Sequence, residues 1–101
     1  MKKEVIFEIF SFLKSKGIAA TESEFSEHWL GCSESYVRKL RSARSEPSLG
    51  AIAICASRLM NAAEQCRTYP RYHKLAEQLE TMSVKCRVLV DAGSVEFDLA
   101  A

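Results

Sequence analysis

The chain has 101 residues, 48% of them hydrophobic and 27% charged, which fits a single globular domain with a modest core. No run of about 18 apolar residues occurs, so no membrane-spanning helix is expected. The net charge of +1 excludes a strongly basic or acidic protein, but residues 36–45 hold four bases and no acid.

Residues 3–16 set Val5, Ile6, Ile9, Phe10 and Leu13 at helical spacing, with Lys14 and Lys16 in the last turn and Gly17 as C-cap. Phe7 and Phe12 fall off that stripe. A wide core face accounts for them, with contact to another chain as the alternative. The basic start is that of a signal peptide, yet Glu4 and Glu8 break its apolar part and no clean cleavage site follows. The segment therefore reads as a helix of a mature, cytoplasmic protein.

Thr21 and Glu24 have capping-box spacing ahead of Phe25, Trp29 and Leu30, which predicts a short second helix ending at Gly31. Ser33 is the expected N-cap of a third helix, two residues beyond that glycine. Val37 and Leu40 make its narrow apolar seam, with Tyr36 and Ala43 near them. Glu34, Ser35, Arg38, Lys39, Arg41 and Ser42 take the opposite arc. After Pro47, Ser48 caps a fourth helix with a seam of Leu49, Ile52, Ala53, Ala56, Leu59 and Met60. Ile54 and Cys55 are apolar as well, so this helix is the expected centre of the core. Residues 61–70 are polar and end at a Tyr69-Pro70 break. Beyond it, Leu75, Leu79, Met82, Cys86 and Leu89 recur in a heptad-like stripe suited to helix packing or a two-chain seam. Around residues 84–98, CRVLV, DAGS and VEFDL also read as a β-hairpin. A helix through about residue 90 is preferred. The expected fold is thus all-α, a compact domain of about five helices. Residues 1–65 form its core, and a C-terminal segment, 66–101, packs on it or pairs with a second copy.

Four cysteines, Cys32, Cys55, Cys66 and Cys86, form no CxxC pair, and His28 and His73 lie far from them in sequence. No zinc spacing results, and no metal or cofactor is expected. The cysteines read as reduced thiols acting as small hydrophobes. No nucleophile–base ordering or phosphate loop stands out, so neither an enzyme nor a small-molecule substrate is expected.

Two short helices around a glycine-containing turn make a helix-turn-helix, whose second helix offers its outer face to the DNA major groove. The stretch GCSESYVRKLRSARSEPSLGAIAICASRL, within residues 21–60, resembles the Xre/Cro-type, lambda-repressor-like DNA-binding family. The resemblance lies in Gly31, Cys32, Ser33 and Val37, then Leu40, Pro47-Ser48, Ala56 and Leu59. Phe25-Ser26 stands one position before the family's usual Leu-Ala, and Arg41 and Ala43 replace its usual Glu and Gly. The resemblance implies double-stranded DNA as partner and a transcriptional regulator or repressor as function. It implies base contacts from Glu34, Ser35, Arg38 and Lys39, and phosphate contacts from Ser33, Arg41, Ser42 and Arg44. Such proteins pair so that two helices enter successive major grooves, roughly 34–36 Å apart. The stripe Leu75, Leu79, Met82, Cys86 and Leu89 is the expected homodimer interface. A protein-binding adaptor, antitoxin-like and using the C-terminal segment, is the alternative function.

Overall fold

Among the described residues, five α-helices follow in chain order: α1 (Lys2–Ser15), α2 (Glu22–His28), α3 (Tyr36–Ser42), α4 (Leu49–Arg67) and α5 (His73–Ala100). The computed structural model describes residues 2–100, with side chains up to position 93. Among the described residues there is no strand, and no helix is long and apolar enough to cross a membrane.

Helix α1 ends as its sequence predicts. Gly17 takes φ +73°, its N–H bonds the Lys14 carbonyl at 3.1 Å, and the Ile18 N–H bonds the Leu13 carbonyl at 2.9 Å. This paired closure satisfies carbonyls that the helix end leaves open. Ile6, Ile9, Phe10 and Leu13 are buried, and Phe7 and Phe12 pack half-buried against the same core. The wide apolar face is therefore the correct account of the two phenylalanines.

Helix α4 runs through the centre, with Ala51, Ile52, Cys55, Ala56, Leu59 and Ala63 buried. Ser48 caps it, accepting the Ala51 N–H at 3.1 Å. The helix does not stop in the polar stretch after residue 60. Ala63 carries the seam one turn further, and the helix continues to Arg67 before Thr68 and Tyr69 break it ahead of Pro70.

Helix α5 lies along α4 and makes the main interhelical contact of the fold. The hairpin reading of residues 84–98 is incorrect, because the backbone stays helical through Ala100. Gly93, taken there for a turn residue, is instead a point of close approach. A methyl at this position would stand 2.7 Å from Leu49 Cδ2, so the Leu49 side chain at the start of α4 would have to shift to admit one. Further along the seam, Ser83 donates to the Ala56 carbonyl at 2.7 Å. Cys55 and Cys86 are fully buried there as free thiols. Its hydrogen bond to Cys86, and then burial, push the Cys55 thiol far above its ordinary range, so it stays neutral. Both behave as the small hydrophobes expected.

The heptad-like stripe requires a correction. Leu79 and Cys86 are fully buried within the chain, and Leu75, Met82 and Leu89 pack half-buried on the same core. The stripe covers the chain's own core and leaves Leu79 and Cys86 no surface for a second copy. A 3.5-residue repeat reports that a helix has an apolar face, not which chain covers it.

Candidate functional site

Helices α2 and α3 are seven residues each and would not persist alone. Their positions are set by a few specific contacts. Thr21 caps α2, accepting the Glu24 N–H at 3.1 Å. At its other end, the Arg58 guanidinium from α4 donates to the Glu27 carbonyl at 3.0 Å and the His28 carbonyl at 2.6 Å. Gly31 follows at φ +64°, and a methyl there would stand 3.0 Å from Ile54 Cδ1. The backbone angle favours glycine at this turn, and a side chain there would press on Ile54 of α4.

The connection between the helices is longer than the sequence predicts. Helix α3 begins at Tyr36 rather than just after Ser33, and residues 34–35 form a turn. Ser33 is not the cap: its hydroxyl faces that of Ser35 at 3.5 Å, and Ser35 makes no side-chain cap bond. The capping work is done from α2. Ser26, fully buried, accepts the Val37 N–H at 3.1 Å and donates to the Glu22 carbonyl at 2.8 Å. A serine in an apolar seam beside Phe25 was the only sequence signal for this bond, and it gave no partner. Ser26→Ala should cost about 1–3 kcal/mol, because it leaves a buried N–H unpaired. A chemical-denaturation midpoint unchanged from wild type would refute this link. Tyr36 adds a second tie, its hydroxyl accepting the Ser48 N–H at 3.0 Å and joining α3 to the start of α4.

With Val37 and Leu40 buried, the outer arc of α3 is set. Glu34, Arg38, Lys39, Arg41, Ser42 and Arg44 are exposed, as is Ser33, and Ser35 is half-buried. Every residue expected to face bases or phosphates, apart from half-buried Ser35, is thus exposed. They are not equivalent, however. Arg41 forms an ion pair with Glu22 and lies over the Phe7 ring at 4.8 Å, so its guanidinium is held against α1 and α2. Arg38, Lys39 and Arg44 make no ion pair among the described residues. Ser42 bonds the Lys39 carbonyl at 3.3 Å.

Lys3, which carries no sequence signal for this surface, also reaches it. Its ammonium donates to the Ala43 carbonyl at 2.7 Å, next to Arg44, and its backbone N–H bonds Glu46 at 3.0 Å. The first turn of α1 is thereby tied to the α3–α4 loop and adds one more cation beside it. No group of three or more potential metal ligands gathers among the described residues.

A family model matches residues 6–98, and the chain belongs to that family, the family of unknown function DUF6626. No curated protein and no solved structure matches it.

Proposed function

For this member of a family without an assigned role, we propose sequence-specific binding of double-stranded DNA through α3, in a transcriptional regulator of the cytoplasm. The observation that carries the reading is the set of three exposed cations without ion pairs among the described residues: Arg38 and Lys39 on a short helix locked from behind by Val37, Leu40 and Ser26, and Arg44 just beyond its end. Rigid support matters, because a base-reading side chain must arrive at a fixed register. Arg38 and Lys39 suit guanine edges, and Glu34 suits the cytosine amino group. Arg44 and Lys3 suit phosphates, whereas Arg41 must leave Glu22 to reach one. A reducing cytoplasm agrees with four free cysteines.

The experiment is selection of bound duplexes from a random pool, followed by a salt titration of the selected site. Three phosphate contacts should weaken binding about 40-fold between roughly 50 and 200 mM salt. Arg38→Ala should weaken it by about 1–3 kcal/mol, or about 5- to 150-fold, and relax sequence preference. Its thermal melt should not change, since the side chain is exposed. Unaltered affinity in the Arg38→Ala, Lys39→Ala double variant would remove α3 from the interface.

A protein-binding adaptor is the second reading. It draws on exposed Tyr69 and Tyr72, in edge contact at 6.1 Å, with Arg71 over the Tyr72 ring at 4.9 Å. Tyrosine and arginine are the residues that most often anchor protein interfaces. Binding insensitive to salt would favour that reading.

A further inference from the structure

We propose that Glu22 holds Arg41 off the DNA, so that α3 keeps one phosphate-binding cation in reserve and Glu22 sets the affinity of the site. This rests on the DNA reading of α3 given above. Arg41 is three residues from Arg38, which makes the two side chains neighbours on the helix surface. A free guanidinium there would add a phosphate contact beside the base-facing pair. It is not free. The Glu22 carboxylate, ion-paired with it, takes the place that a phosphate oxygen would fill. The Phe7 ring backs it from α1, its centre 4.8 Å from Arg41 Cζ. The Arg41 side chain is nonetheless 57% exposed, so a phosphate can compete for it.

Both partners of Arg41 are fixed before any ligand arrives. Glu22 opens α2, where Thr21 caps the helix and the helix dipole favours an acid. One turn on, Ser26 ties α2 to α3 through the Val37 N–H. Phe7 packs half-buried on the core. The carboxylate and the ring therefore stay behind when α3 meets a ligand. No other acid of this surface acts in the same way. Glu46 accepts the Lys3 backbone N–H at 3.0 Å, and Glu34 pairs with no cation among the described residues. Arg41 is thus the one cation of residues 36–45 that a carboxylate holds among the described residues. A surface ion pair and an exposed cation–π contact are each weak, and together they favour the held position by roughly 3- to 30-fold. Exchange of one anion for another gains little, so Arg41 stays on Glu22 when DNA is bound.

The test is a double-variant cycle on the full chain, titrated with the duplex selected from the random pool. Glu22→Gln removes the charge and keeps the shape. It should bind that duplex about 3- to 10-fold more tightly at roughly 50 mM salt. Its affinity should then fall about 3.5-fold further than that of wild type between roughly 50 and 200 mM, as one added phosphate contact requires. Arg41→Gln should bind within about twofold of wild type, because the reserve cation is not in use. In the Arg41→Gln background, Glu22→Gln should lose the added salt dependence and most of the gain. Both side chains are partly exposed, so the melts of all four proteins should agree within a few degrees. Wild-type affinity in Glu22→Gln overturns the proposal. So does a gain of equal size in both backgrounds, since loss of a negative charge near DNA would then explain it alone. Arg41→Gln binding as weakly as Arg38→Ala overturns it too, by placing Arg41 on a phosphate already. Each of those results leaves the DNA reading standing. Failure of all four proteins to bind any duplex overturns that reading, and the role of Glu22 with it.

Discussion

Phe25→Ala is expected to lower the stability of the protein by about 3–5 kcal/mol. Phe25 is fully buried, its ring packing on Phe10 at 5.2 Å between centroids. It and Ser26 are the only buried residues of α2, a helix of seven residues. Without the ring, α2 loses its apolar anchor, and a helix of two turns cannot hold itself in water. The loss spreads, because α2 supplies the hydroxyl that accepts the Val37 N–H. A domain of this size has only about 5–15 kcal/mol to lose. The melting temperature should fall by roughly 15–30 °C, followed by circular dichroism. A fall of only a few degrees would mean that Arg58 and Thr21 hold α2 without the ring.

The same contacts explain which parts of the fold were legible in the sequence. Where the determinant is local, residue type and spacing were enough. Gly17 ends α1, Thr21 and Ser48 start α2 and α4, and Val37 with Leu40 turns the polar arc of α3 outward. Where the determinant is distant in sequence, they were not. Ser33 has the right residue type for a cap, but the bond comes from Ser26, on another helix. DAGS has turn composition, but its glycine answers to Leu49, on the helix that α5 packs against. Propensity describes a segment by itself, whereas packing decides between two segments that each accept more than one conformation.

The candidate site divides along the same line. Exposure of Arg38 and Lys39 follows from two buried positions on a 3.6-residue repeat, so it could be read directly. The engagement of Arg41 could not, because Glu22 and Phe7 sit on two other helices. Lys3 joins the same surface only because α1 brings its first turn to the α3–α4 loop.

Leu79→Lys is expected to be the most damaging single change on α5, and it separates the two faces of that helix. Leu79 is fully buried, and the only buried polar residues among those described are Ser26 and Ser83. No buried carboxylate is present to receive an ammonium, so the cost should be several kcal/mol, comparable with the whole stability. The effect should depend on pH in a defined direction. Burial lowers the pKa of the introduced ammonium in the folded state, while the unfolded chain keeps a value of about 10.4. Between those two values the unfolded chain binds more protons, so stability rises with pH across that window. The variant should therefore recover melting temperature or helical signal, relative to wild type, when moved from about pH 7 to about pH 10. Val88→Lys, on the exposed face, should show neither the loss nor the recovery. A Leu79→Lys variant that melts like wild type would return the stripe to the surface and reopen it as an interface between copies.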